Sequence, residues 1–166
     1  MLFNVNNFAI ASAFNRLSAI GGGCLILCNS NFRYKERQDI TSCSVDRICE
    51  VACAEIEGII VLCVYRPPAS NLLSFLKTME EILIKVCRNN KSVYICGDFN
   101  VNILIDSQES CQLLSLFKSF NFDNIFNEPT RITATSQNCI DNIFSNRGVL
   151  NFKLIPGIRS DHMGQL

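Results

Sequence analysis

A chain of 166 residues is long enough for one domain with a buried core, and 48% apolar against 18% charged residues excludes a disordered protein. Fifteen Lys and Arg balance 15 Asp and Glu, which excludes attraction to a polyanion through a global basic field. Any nucleic-acid contact must therefore come from a local basic patch.

The longest apolar run, residues 59–65, falls far short of the about 20 residues that cross a bilayer. Residues 8–14 are too short and poorly flanked for a secretory core, so the expectation is an intracellular protein with no membrane association. Ten cysteines contain no Cys-x-x-Cys pair, which argues against a zinc ribbon or a redox motif. Most lie in apolar runs, where a reduced thiol serves as a small hydrophobe.

In chain order, Gly21-Gly22-Gly23 breaks the backbone before residues 24–28, a compact buried strand. Residues 51–57 lead through Gly58 into residues 59–65, a predicted hairpin whose second strand is fully buried. Arg66-Pro67-Pro68 ends it, because consecutive prolines supply no ladder donors. Leu72, Leu73, Leu76, Met79, Ile82, Leu83 and Val86 recur at helical spacing and predict an amphipathic helix over residues 70–88. A buried strand over residues 92–96 and a second helix over residues 109–120 follow. Residues 132–139 read as a polar hairpin turning into a strand at 140–144, and residues 151–155 as a last strand before Ser160-Asp161-His162. Two helices among many strands predict a mixed α/β sandwich in a single domain over residues 1–166, not a doubly wound parallel sheet.

Gly97-Asp98-Phe99-Asn100 directly follows a strand, so Asp98 and Asn100 project from a rigid edge. A carboxylate beside a carboxamide is suited to orienting or deprotonating water while contacting a phosphate oxygen. The same four residues are also an ordinary turn sequence. His162 is the single histidine and follows Asp161; a carboxylate partner such as Asp141 would make it a proton carrier at neutral pH. Taken singly, His162 is equally a surface or core residue, and Asp141 a strand-end turn residue.

Together these segments form an ordered pattern: Gly-Gly-Gly-Cys-Leu-Ile, Val-Tyr-Arg-Pro-Pro, Ile-Cys-Gly-Asp-Phe-Asn, Glu-Pro-Thr-Arg, Ile-Asp-Asn-Ile-Phe and Ser-Asp-His. Their order and spacing resemble the endonuclease/exonuclease/phosphatase family, which includes apurinic endonucleases and deoxyribonuclease I. The Tyr-Arg-Pro-Pro and Glu-Pro-Thr-Arg segments most resemble the endonuclease domains of Jockey-type non-LTR retrotransposons. The resemblance implies a four-layer α/β sandwich of two mixed β-sheets flanked by helices. By that resemblance Tyr65 contacts the scissile phosphate, Asp98 orients or activates the attacking water, and Asn100 binds phosphate and water. Asp141 pairs with the catalytic His162, and Asp161 is a metal-site or phosphate-proximal carboxylate. Thr130 and Arg131 precede a hairpin that approaches DNA in this family; Arg131 reads equally as a phosphate contact or a surface salt bridge.

The same resemblance implies magnesium, or manganese in its place, and double-stranded DNA as substrate, nicked to leave a 3′-hydroxyl. It further implies a reverse transcriptase domain on the same chain of the full element and a nuclear location. The family's Glu-Thr-Trp-like segment, whose glutamate is the main metal ligand, has no counterpart, and the chain has no tryptophan. The expectation is thus an amino-terminally truncated domain missing its first strand or strands, with weakened metal binding. Glu50, Glu55 and Glu57 occupy strand positions that do not match the motif. Two other functions stay open: an inactive retroelement-derived fragment acting as a binding module, and a phosphatase of the same fold.

Overall fold

The computed structural model describes residues 8–14, 23–148, 152–157 and 160–165. Gly21 and Gly22 of the predicted break, and Asn151 of the predicted last strand, lie outside them. The strands and helices run β1 (Phe8–Phe14), β2 (Cys24–Asn29), β3 (Tyr34–Glu36), α1 (Gln38–Thr41), β4 (Glu50–Ile56), β5 (Ile59–Tyr65) and α2 (Leu72–Val86). They continue with β6 (Val93–Asp98), α3 (Gln108–Ser119), β7 (Asp123–Asn124), β8 (Arg131–Ile132), β9 (Gln137–Asn138), β10 (Asp141–Ser145), β11 (Leu154–Ile155) and β12 (Gly164–Gln165).

Local chemistry sets the helix bounds. Asn71 caps α2 by accepting from the Ser74 N–H at 2.9 Å, and Ser107 caps α3 through a reciprocal pair of bonds with Ser110. α2 therefore starts two residues later than its apolar periodicity predicts, because the cap residue itself stays extended. A short 3-10 turn, Cys87–Asn89, ends it and leaves Asn90 in a left-handed conformation.

Six strands form one mixed sheet in the order β3-β4-β5-β6-β10-β7. β5 and β6 are parallel, as the α2 crossover between them requires, and every other pair is antiparallel. Period-two alternation assigns the two faces. Val51, Cys53, Ile60, Leu62, Val64, Val93 and Ile95 turn toward the helices and join Phe75, Met79, Ile82, Leu83, Leu113 and Phe117 in the main core. Ala52, Ala54, Val61, Cys63 and Tyr65 turn the other way.

The antiparallel β1–β2 hairpin covers that second face, burying Cys24, Ile26 and Cys28 and exposing Leu25 and Leu27. Further along the same face, Phe152 and Leu154 pack on Phe126, Cys139 and Ile143, and the β11–β12 pair lies there. The mixed α/β sandwich expected from the sequence is thus present: a helix layer, a central sheet, and a second layer of paired strands. Five of the ten thiols, Cys24, Cys28, Cys49, Cys53 and Cys139, are buried in these layers. No helix among the described residues is long and apolar enough to cross a membrane.

Candidate active site

Strand register builds the site before any side-chain contact is considered. Glu50 on β4 pairs with Tyr65 on β5, Tyr65 with Asp98 on β6, and Asp98 with Asp141 on β10. Residues in one register row of a sheet share a face, so these four side chains line one edge of the second face.

Gly97 is fixed by crowding. A Cβ there would lie 1.9 Å from the carbonyl oxygen of Val64, its parallel partner, so only glycine lets β5 and β6 close at this point. The residue does not adopt a positive φ, so its part is close approach. Asp98 Oδ1 accepts from the Asn100 N–H at 2.9 Å. Asn100 has φ +48°, and its Nδ2 donates to the Arg66 carbonyl at 2.8 Å.

The segment bearing Ser160-Asp161-His162 reaches this edge by pairing with β8. The Ile132 N–H donates to the Asp161 carbonyl at 2.8 Å and the Met163 N–H to the Thr130 carbonyl at 2.6 Å. His162 Nδ1 then lies 3.0 Å from both carboxylate oxygens of Asp141. A carboxylate only accepts, so this bond places a proton on Nδ1 and leaves Nε2 as the acceptor of the neutral ring. Ligand atoms of Asp98, Asp141 and His162 lie within 4.8 Å of one another.

Two aspartates of the site are driven in opposite directions. Burial, and then the charge of Asp141, push the Asp98 carboxyl up to about 6. Asp161 is held below the usual carboxylate range by its hydrogen bond to Arg131, whose Nε lies 2.6 Å from Oδ2. One carboxyl is thereby poised near neutrality and the other stays firmly ionised.

Asp98, Asp141 and His162 come together, with Tyr65 beside Asp98 in register and Asn100 at the strand exit. Asp161, expected at a metal site, stands outside the cluster and is paired with Arg131. Thr130 is not placed to touch DNA. Its side chain is 0% exposed, and Oγ1 donates to Asp141 Oδ2 at 3.0 Å while accepting the N–H groups of Ile140 and Asp141. Of the two readings of Arg131, the structure contains the salt bridge. Sequence reasoning assigned nothing to Arg66 and dismissed Glu50; an arginine wedged between a strand-end tyrosine and two prolines was the available signal for the first. Glu50 is fully buried and accepts from the Gly23 N–H at 2.6 Å.

A sequence model of the family described as Endonuclease-reverse transcriptase matches residues 59–165. The chain belongs to this family. That span holds Tyr65, Asp98, Asn100, Asp141 and His162, the residues that the fold gathers at one edge. Solved structures share the endonuclease/exonuclease/phosphatase fold at low sequence identity. The endonuclease domain of TRAS1, a telomere-specific non-LTR retrotransposon, aligns with TM-score 0.73 and 12% identity, over 96% of this chain and 78% of that one. An AP endonuclease from Archaeoglobus fulgidus aligns with TM-score 0.66 and 14% identity, over 98% and 79%. The 3′ phosphatase NExo from Neisseria, bound to a product DNA hairpin, aligns with TM-score 0.68 and 12% identity, over 96% and 78%. No curated protein gives a significant match to this Endonuclease-reverse transcriptase family chain.

Proposed function

We propose that this chain is a DNA-nicking phosphodiesterase of the non-LTR retrotransposon type, dependent on a divalent cation. The observation that carries the reading is the convergence of Asp98, Asp141 and His162 from three separate segments onto one sheet edge. The carboxylates of Asp98 and Asp141 are oxygen donors that suit magnesium or manganese, and these two residues would hold it. When bound, such a cation neutralises charge on the phosphate and on the leaving oxygen.

The protein's own groups supply the rest. Asp98, pushed up in the metal-free site by burial and by Asp141, is ionised at neutral pH and accepts the proton of an attacking water. Asn100 presents its amide beside it, held by the Arg66 carbonyl. Asp141 holds His162 through Nδ1, and Nε2 donates to a phosphate oxygen when the ring is protonated. Tyr65, in register with Asp98, contacts the scissile phosphate. Water gives its proton to Asp98 and attacks phosphorus, the bond to O3′ breaks, and O3′ takes a proton from solvent, leaving a 5′-phosphate and a 3′-hydroxyl suited to priming reverse transcription. Arg131 reaches a backbone phosphate by exchanging Asp161 for it, which frees Asp161 to face the site. The substrate is double-stranded DNA, the location nuclear, and the partner in a full element a reverse transcriptase domain on the same chain.

One observation favours a second reading, a catalytically impaired chain that serves as a binding module. Among the described residues no glutamate joins the cluster, and Glu50, the one glutamate in the register row, turns to Gly23. Nicking of supercoiled plasmid with magnesium or manganese separates the two. Nicking that disappears in both Asp98→Ala and His162→Ala, and on chelation with EDTA, is expected of the nuclease. Nicking that survives either substitution rules out the catalytic assignment, and plasmid binding without nicking selects the second reading.

A further inference from the structure

Tyr65-Arg66-Pro67-Pro68 stands out in the sequence, yet the proposed chemistry uses only its tyrosine. Arg66 is 3% exposed, and among the described residues no carboxylate lies within ion-pair distance of it. Its charge is instead absorbed by carbonyl oxygens. Nη1 donates to Phe99 O at 3.3 Å and Asn100 O at 3.1 Å, and Nη2 donates to Ser70 O at 2.9 Å. The main chain adds two bonds. The Arg66 N–H donates to Asp98 O at 2.9 Å, and the Arg66 carbonyl accepts from Asn100 Nδ2 at 2.8 Å.

We infer that Arg66 is a positioning residue, whose buried guanidinium clamps the Asp98–Phe99–Asn100 backbone and holds Asn100 in its left-handed conformation at the site. The purpose of the clamp rests on the nuclease reading above; the clamp itself does not. A single residue bonds Asp98, Phe99 and Asn100 in succession, and Asn100 returns a bond. Asn100 has φ +48°, a conformation that L residues other than glycine enter rarely and keep only when their surroundings hold them. Two contacts do so from opposite sides: Asp98 Oδ1 on its N–H and Arg66 Nη1 on its carbonyl. Asp98 and Asn100 are thus coupled through Arg66, and a shift of either moves the other. The planar fork of arginine is needed, because Nη1 and Nη2 reach carbonyls on two separate loops at once. Phe75 beneath the guanidinium, 5.9 Å from its carbon, and Pro67-Pro68 after it restrict where the fork can point.

The test compares wild type with Arg66→Met and Arg66→Lys, using the Asn100 backbone and side-chain amide signals and its α- and β-carbon shifts by NMR. Asn100 is expected to lose its left-handed signature in both variants, while amides of β4 stay unmoved. In the nicking assay kcat is expected to fall about tenfold to a hundredfold, with KM within about twofold of wild type. Retention of the Asn100 signature with kcat within about twofold of wild type in Arg66→Met overturns the inference. If Arg66→Met fails to fold, Arg66→Lys decides alone: it keeps the charge and loses the fork, so native Asn100 shifts and full kcat there overturn the clamp. A wild type that does not nick refutes the nuclease reading, while the Asn100 shifts still decide for or against the clamp.

Discussion

Asp98 carries a charge that the fold resists, and replacing it should stabilise the protein while ending its chemistry. Burial and the facing Asp141 raise its carboxyl from the ordinary 3.8 to about 6. A carboxyl raised on folding binds its proton more tightly in the native state than in the unfolded chain. Stability from this group is therefore fully present below pH 3.8 and is lost as pH rises through 6. The rise from 3.8 to about 6, at about 1.36 kcal/mol per pH unit, sets a ceiling of about 3 kcal/mol of destabilisation at pH 8, which solvent screening of this partly exposed carboxyl reduces. Asp98→Asn removes the charge, keeps the volume, and keeps an acceptor for the Asn100 N–H. The variant should exceed wild type by up to about 3 kcal/mol at pH 8, a rise in Tm of roughly 6–12 °C for a chain of this length. The gap should roughly halve by pH 5 and nearly close at pH 4. Thermal melts followed by circular dichroism in EDTA, from pH 4 to pH 8, read this directly. A variant that melts at or below wild type at pH 8, or a gap that does not change with pH, would refute the reasoning.

His162→Ala and Asp141→Asn should each lower nicking by about 10²–10⁴-fold with an unchanged far-ultraviolet spectrum, since one removes the ring and the other its orienting acceptor. Thr130→Val leaves the N–H groups of Ile140 and Asp141 without their acceptor, so urea titration should show a loss of about 1–3 kcal/mol. Thr130→Ser keeps the hydroxyl and should retain most of that stability. Arg131→Ala should weaken plasmid binding and reduce the slope of log affinity against log salt by about 1, which filter binding from low to moderate salt measures. An unchanged slope would mean that Arg131 stays on Asp161 and does not reach phosphate.

What the sequence made legible follows from the range of each signal. The apolar spacing from Leu72 to Val86 is local, and α2 appears where that spacing lies, trimmed by an Asn71 cap. β4 and β5 were legible for the same reason, as continuous runs around Gly58. β3, β7 and β12 have two or three residues each, too few for any periodicity to register. The site divides in the same way. Asp98, Asn100, Asp141 and His162 could be picked out as residue types in an ordered pattern. The link from Arg66 to Asn100 spans 34 positions and that from Arg131 to Asp161 spans 30, so neither is visible before strand pairing is known. Thr130 and Arg131 are adjacent in sequence but differ in setting: Arg131 is half exposed, while the Thr130 side chain is buried against Asp141.

The apolar member of the Gly97-Asp98-Phe99-Asn100 segment explains how a strained, charge-bearing edge keeps its shape. Asp98 and Asn100 face the site, and Phe99 between them turns to the opposite side, where it is buried in the main core. Its ring meets Phe75, Phe117 and Phe144 edge-on, at centroid distances of 6.4, 5.8 and 5.1 Å. Phe75 comes from α2, Phe117 from α3 and Phe144 from β10, so both long helices and the strand that carries Asp141 converge on this one residue. Phe144 also stacks on Phe117 at 3.8 Å, which ties the position of Asp141 to the same aromatic group. The site thus draws its rigidity from the helix side of the sheet, through a side chain that never touches substrate. The burial that stabilises this aromatic cluster offsets the strain at Asn100 and the buried charge of Asp98. A loop bearing the same polar residues without Phe99 would have no such support.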